Sequence, residues 1–413
     1  MTAEAGRPPA LPLLHRAWRK LPQNARRAAL HRAVTAVAPR PDRSPPPATP
    51  GLAITGELDR PSGLGEGARL LLHALDALGL PAYAVRPGDR PAPPGVPLLV
   101  VGTAASLPLH LLRLGRVHLR GRTVIGHWSW ELPTVPPAWH DGLRFVHRIW
   151  APSEFTAAAL RSMGRDVTVV LHPVAASPPK PSSLGREAFE LPADAHVTLV
   201  MFNLGSSFER KNPLAAIAAH RLAFGDRPDR VLLLHVGNPH HFPDDFARLQ
   251  AASGGNVRLH TRDLSRPDSH ALLACCDVVL SLHRSEGFGL VPAEAMLLGK
   301  PVVATDWSAT TEFLDGSCGA PVPSRLVPAR DPRGVFEAPG ALWADPDIGA
   351  AAAWLTRLAD DPELRHRIGH AARQAASTRL GPATLGSAVS SLGAPSVSTN
   401  GSLSGPSAKS HQV

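Results

Sequence analysis

At 413 residues, 44% of them hydrophobic, the chain exceeds what one ordinary core organises, so two domains are expected. Its net charge of +9 is lopsided: the first fifty residues hold nine Lys/Arg against Glu4 and Asp42, a net +7, and the rest is nearly neutral. The high pI therefore marks one basic appendage and does not argue for a nucleic-acid protein, and no nucleic-acid partner is expected. Cys275, Cys276 and Cys318 form no disulfide framework, and no apolar run reaches the roughly 18 residues of a membrane span. With no charged start followed by an apolar core and cleavage site, a cytoplasmic protein with reduced thiols is expected.

Residues 11–38 read as two short helices broken near Pro22. Leu30, Ala33, Val34 and Val37 recur at helical spacing, with Arg26, Arg27 and Arg32 mostly on other faces and Trp18 nearby. Two readings stay open: a basic amphipathic helix on an anionic membrane surface, or a helix packed on the first domain with its arginines in solvent. Residues 39–50 form a stiff proline-rich linker, which closes an amino-terminal segment over 1–50.

From residue 51 strands and helices alternate. Strands are expected at 52–56, 82–85, 97–102, 123–126, 148–152 and 167–171, with a helix over 66–78, the pattern of a doubly wound parallel sheet over 51–178. Ligands of such sheets bind at the strands' carboxyl ends. The loop Pro61-Ser-Gly-Leu-Gly-Glu-Gly follows the first strand, where Gly63 and Gly65 permit close approach of an anion or sugar. A second loop, Gly126-His-Trp-Ser-Trp-Glu, sets His127 and Glu131 beside two tryptophans that are costly to expose unless something binds there, although Trp128, Trp130 and Glu131 also fit core and cap positions. Ser153 reads as a helix N-cap.

Residues 174–192, rich in Pro and Ser, read as the interdomain linker, and a second alternating series occupies 193–345. In its first loop Arg210 and Lys211 stand just before Asn212 and Pro213, read as cap and first helical residue. Cations there oppose the helix dipole, which favours an anion bound between them. Further on, the apolar strand 277–282 delivers Arg284-Ser-Glu-Gly-Phe-Gly, whose Gly287 and Gly289 allow close backbone approach. Pro292 suits the first turn of the next helix, Gly299 its end, and Glu294 lies one to two turns inside. Two carboxylates, Glu286 and Glu294, beside unpaired helix N–H groups suit sugar hydroxyls next to a phosphate. Glu312 reads first as a cap and second as a donor contact. Helices over 348–359 and 362–376 follow, and the tail from 380, dominated by Ser, Gly, Ala and Pro, is expected to be disordered to 413.

Glu286 and Glu294 in their Ser-Glu-Gly-Phe-Gly-Leu context resemble the signature of the retaining glycosyltransferases of family 4, the glycosyl transferases group 1, over about residues 51–376. The resemblance implies an α/β fold of GT-B type: two facing Rossmann-like domains with a deep interdomain cleft, the first for acceptor and the second for nucleotide-sugar, with the helices of 346–379 crossing back to the first domain. It implies Glu286 facing the transferred hexose, Glu294 holding the ribose, and Gly287, Phe288, Gly289 and Leu290 lying against sugar and diphosphate. Gly63 and Gly65 match the family's amino-terminal glycine loop, and His127 stands where relatives place a histidine near the reacting sugar. Lys211, with Arg210 as the less regular partner, matches the pair that holds the leaving diphosphate. The implied activity is hexosyl transfer, mannose or glucose type, from a GDP- or UDP-linked donor to a glycan, lipid-linked or small-molecule acceptor. Neither metal nor cofactor is implied. The other readings are an epimerase of similar fold and a sugar-binding scaffold that catalyses nothing.

Overall fold

The computed structural model describes residues 23–336, 338 and 340–393 of the chain. The first lobe is a six-stranded parallel sheet in the order β2-β1-β3-β4-β5-β6, with β1 Leu52–Thr55, β2 Ala82–Ala84, β3 Leu98–Gly102, β4 Val124–Trp128, β5 Arg148–Ala151 and β6 Val167–Val169. The second is a parallel sheet in the order β12-β11-β10-β7-β8-β9, with β7 His196–Asn203, β8 Arg230–Gly237, β9 Val257–His260, β10 Val278–Ser281, β11 Val302–Thr305 and β12 Ala320–Val322. In each sheet the winding direction reverses beside the first strand, between β1 and β3 and between β7 and β10. The crevice that suits a ligand lies at the carboxyl ends there. The loops that follow β1, β7 and β10 carry Gly63, Lys211 and Glu286.

Both sheet faces are covered, which is why inner strands such as β3 and β11 are buried at every residue. In β4, Val124 and Trp128 enter one core and Ile125 the other; in β5, Ile149 and Ala151 face the first and Trp150 the second. β4 runs on to Trp128, two residues beyond the strand read from the sequence, because Trp128 is a fully buried core side chain. A two-stranded antiparallel ribbon, β13 Ser324–Pro328 with β14 Leu342–Pro346, was not foreseen.

The chain crosses back to the first lobe later than expected. The helix Pro362–Arg379 stays on the second lobe, where Gly369 packs so closely on Gly299 that a Cβ would lie 2.1 Å from its carbonyl oxygen. Residues beyond 380, expected to be disordered, form the helix Ala383–Ser390, whose Leu385, Ala388 and Val389 join Leu71 and Leu75 in a first-lobe core. Small alanines and serines disguised a helix carrying a short apolar stripe. Residues 394–413, the rest of that tail, lie outside the described residues, as do residues 11–22 with Trp18 and the break at Pro22.

The helix Gln23–Val37 lies against the helix Leu107–Leu114. Its packed positions include Thr35, followed by Ala38, whereas Leu30 and Val37 of the apolar stripe are 57% and 67% exposed. Among the described residues no helix is long and apolar enough to cross a membrane.

Candidate active site

The loops after β7 and β10 are stapled together by backbone. Arg284 N–H donates to the Arg210 carbonyl at 2.8 Å, and Arg210 Nη1 donates to the Ser285 carbonyl at 2.8 Å. Asn212, in the left-handed region with φ 52°, does not cap the following helix as its sequence position suggests; its Nδ2 donates to the Leu282 carbonyl at 3.1 Å. Arg210 and Lys211 belong to a single helical turn, Phe208–Lys211, capped by the Ser207 hydroxyl. The outcome is a buried ion cluster. Glu286 Oε1 accepts from Lys211 Nζ, and Glu286 Oε2 lies 3.2 Å from Arg210 Nη1.

Three further groups close this cluster: Glu131, whose loop the sequence singles out, with Ser308 and Phe336. Ser308 Oγ, from the turn after β11, accepts the Glu286 N–H at 2.9 Å. Glu131 reaches in from the first lobe, its Oε1 3.9 Å from Arg210 Nη2. Phe336, from the loop between β13 and β14, lies under the Arg210 guanidinium at 5.1 Å and stacks on Trp130 at 5.5 Å. Burial pushes the Glu286 carboxyl up, but Lys211, Arg210 and His283 together outweigh it and hold the group at about 2. Burial draws the Lys211 ammonium below its ordinary range, with Glu286 pulling the other way. Glu131 is raised, again by burial first, with Arg210 opposing.

The donor-motif backbone is pressed against the first lobe. A Cβ on Gly287 would lie 2.9 Å from the Trp130 carbonyl oxygen, and the Gly287 carbonyl accepts from Ser153 Oγ at 2.8 Å. Gly289 has φ 103° and precedes the helix Leu290–Leu297, a conformation that suits glycine. Phe288 is buried between His172 and Phe313, and Leu290 faces Gly63 of the other lobe, its Cδ1 3.9 Å from where a Cβ would sit. Gly65 has a local role: a Cβ would meet the Glu57 carbonyl oxygen at 2.3 Å, so it closes the turn into a helix that starts at Gly63. Glu294 sits one turn into its helix, facing Arg266 and His270.

His127 does not join the cluster. It lies inside β4, is fully buried, and its Nε2 bonds the Val170 carbonyl at 3.1 Å. Burial lowers it to about 4. It reaches the donor motif through His172, whose ring is 5.2 Å from His127 and 5.0 Å from Phe288. Trp128 and Trp130 are core side chains, not an open sugar platform. Ser153 caps the helix Glu154–Arg161 as expected. Glu312 caps that same helix from the opposite lobe, accepting the N–H groups of Glu154 and Phe155, both at 2.8 Å. Beside the ion cluster a groove of about 480 Å³ runs between Glu154, Phe155 and Ala158 on one lobe and residues 306–312 on the other, and meets the cluster at Ser308.

The description Glycosyl transferases group 1 matches residues 200–345. Over 78 residues the chain is 40% identical to the lipopolysaccharide core biosynthesis mannosyltransferase LpsB of Rhizobium meliloti, covering 19% of this chain and 22% of that protein. Over 209 residues it is 29% identical to the D-inositol 3-phosphate glycosyltransferase of Corynebacterium glutamicum, covering 49% and 44%. The matches thus span less than half the length of either curated relative. Among solved structures, Anabaena Alr3699/HepE in complex with UDP and glucose superposes with a TM-score of 0.57 at 17% identity, over 83% of this chain and 99% of that one. The sucrose-phosphate synthase of Thermosynechococcus elongatus does so with 0.57 at 16%, over the same shares. Residues 200–345 thus resemble the glycosyl transferases group 1, and the two facing six-stranded sheets have the GT-B fold.

Proposed function

We propose that the chain is a glycosyltransferase that moves a hexose, of mannose or glucose type, from a nucleoside diphosphate sugar to a hydroxyl-bearing acceptor with retained anomeric configuration. The observation that carries this reading is the convergence of Lys211, Arg210 and Glu286 from two loops at the second sheet's switch point, buried against the first lobe. Lys211 and Arg210 are the groups to neutralise the diphosphate as it departs, a task worth most in a water-poor site. Glu286, ionised throughout the physiological range, positions the sugar and stabilises positive charge developing at its anomeric carbon. Glu294 holds the ribose, while Gly287 to Leu290 supply backbone and apolar contact. His127 supports Phe288 through His172 instead of touching the sugar. No metal is required, since the cations are supplied by side chains; the acceptor enters by the groove that ends at Ser308.

The family relatives support the choice of donor class: one is a mannosyltransferase by name, and the Anabaena structure holds UDP and glucose. A location at the cytoplasmic face of a membrane, reached through exposed Leu30 and Val37 and their neighbouring arginines, belongs to the same proposal. The test is product analysis: incubate the protein with UDP-glucose or GDP-mannose and a panel of acceptors in chelator, then read the new linkage by NMR. An α-linked hexose from an α-linked donor is expected. Inverted products, free epimer, or dependence on added metal would contradict the assignment.

A further inference from the structure

One guanidinium joins the two lobes beside the donor motif. Arg266, in the first turn of the helix Arg266–Cys275, places Nη1 2.5 Å from Glu66 Oε1 of the first lobe and Nη2 3.3 Å from Glu294 Oε1 of the second. Both carboxylates are largely buried, with side chains 11% exposed, so each needs a cationic partner. Glu66 is further fixed on Oε2 by Arg69 Nε and Nη2, at 3.1 and 2.9 Å. His270 takes the other side of Glu294. Its Nδ1 accepts the Lys180 N–H at 3.0 Å, which leaves the ring proton on Nε2, 3.7 Å from Glu294 Oε1. Arg266 and His270 thus both engage Oε1. The shortest contact of each partner is to Oε1, and Glu294 Oε2 accepts no hydrogen bond among the described residues.

We propose that Arg266 is a positioning residue: it acts as a strut that aims Glu294 Oε2 at the donor ribose and, through Glu66, makes that aim depend on lobe closure. The inference rests on the ribose role proposed above for Glu294. A guanidinium is suited to this because its planar fork serves two carboxylates at once, which an ammonium does with less direction. Separating the lobes breaks the contact to Glu66 and leaves Arg266 shared with nothing but Glu294. The carboxylate then turns toward the guanidinium and away from the ribose. Donor grip and closure strengthen together, and neither Glu66 nor Arg266 needs to touch the donor.

The test compares the wild type with Arg266→Gln, Glu66→Gln and the double variant, all in a Cys275→Ser background. Spin labels on Arg120→Cys and Gln250→Cys, both exposed and on opposite lobes, report the interlobe distance without added ligand. Calorimetry then compares a nucleoside diphosphate with its 2′,3′-dideoxy analogue. In the wild type the dideoxy analogue is expected to bind about tenfold more weakly, the size of a lost hydrogen bond to a charged group. Arg266→Gln and Glu66→Gln should each broaden or lengthen the distance distribution and shrink that ribose penalty to about twofold or less, with the double variant no worse than either single one. An unchanged distance, an unchanged ribose penalty, or additive effects in the double variant would overturn the strut. If the wild type binds no nucleotide, the proposed function fails on its own, while the distance arm still decides whether Arg266 joins the lobes.

Discussion

The Lys211 ammonium donates to Glu286 Oε1 although 75 residues separate them in the chain. The link exists because β7 and β10 are neighbours in the sheet, so the two loops at their carboxyl ends emerge side by side. A winding order thereby becomes an ion pair, and the ion pair becomes a site.

Removing the lysine should act on chemistry more than on folding. Lys211→Ala is expected to lower kcat by a hundredfold or more, roughly the cost of losing one charge-stabilising group from a preorganised site. Steady-state kinetics with the active donor checks this, with circular dichroism confirming the fold. Near-full turnover would remove Lys211 from the diphosphate site.

Glu286 makes a pH-dependent contribution to stability. Its folded value of about 2 lies below its ordinary 4.5, so the contribution is fully present above about pH 4.5 and is lost as pH falls toward 2. Glu286→Gln removes it and leaves Lys211 and Arg210 without their buried counter-charge, a loss of about 3 kcal/mol or more near neutrality. The gap in thermal midpoint between wild type and variant should therefore narrow from pH 6 to pH 3. A constant gap would mean the carboxylate is not held by these cations.

Glu312 tests the contact between lobes. Glu312→Ala strips two N–H acceptors from the start of the helix Glu154–Arg161 and should cost about 1 kcal/mol, as loss of a helix cap does. Because the cap comes from the other lobe, hydrogen exchange at Glu154 and Phe155 should accelerate in the variant while β4 stays protected. Unchanged exchange there would mean the cap contributes nothing to holding the lobes together.

The exposed stripe at the amino terminus predicts lipid binding. Vesicles containing anionic phospholipid should sediment the wild type, and a Leu30→Asp, Val37→Asp variant should remain in the supernatant. Equal sedimentation of the two would remove this face from any membrane contact.

Much of the fold was legible because buried parallel strands are apolar throughout and their helices carry caps. The switch-point loops also announced themselves, with Lys211, Glu286 and Gly289 set beside helix starts. What stayed hidden depends on contacts between distant segments. Glu131 stands in a loop that the sequence singles out, but only the packing of one lobe on the other brings it to Arg210, while Ser308 and Arg266 reach Glu286 and Glu294 from neighbouring elements of their own lobe. His127 was misplaced for a local reason: Gly126 was read as the strand's end. It is instead the space that accommodates Trp128, whose Nε1 would lie 2.3 Å from a Cβ at 126. Asn212 sits where a cap is expected, yet its side chain is used for the staple to Leu282.

The most direct test of a sugar diphosphate held between the β7 and β10 loops is equilibrium binding of UDP-glucose and GDP-mannose, in chelator, to the wild type and to Lys211→Ala. One of the two donors should bind the wild type and lose at least about tenfold in affinity with the variant, as expected for a buried charge-assisted contact. Equal affinity for both proteins, or binding that appears only when a divalent metal is restored, would contradict it.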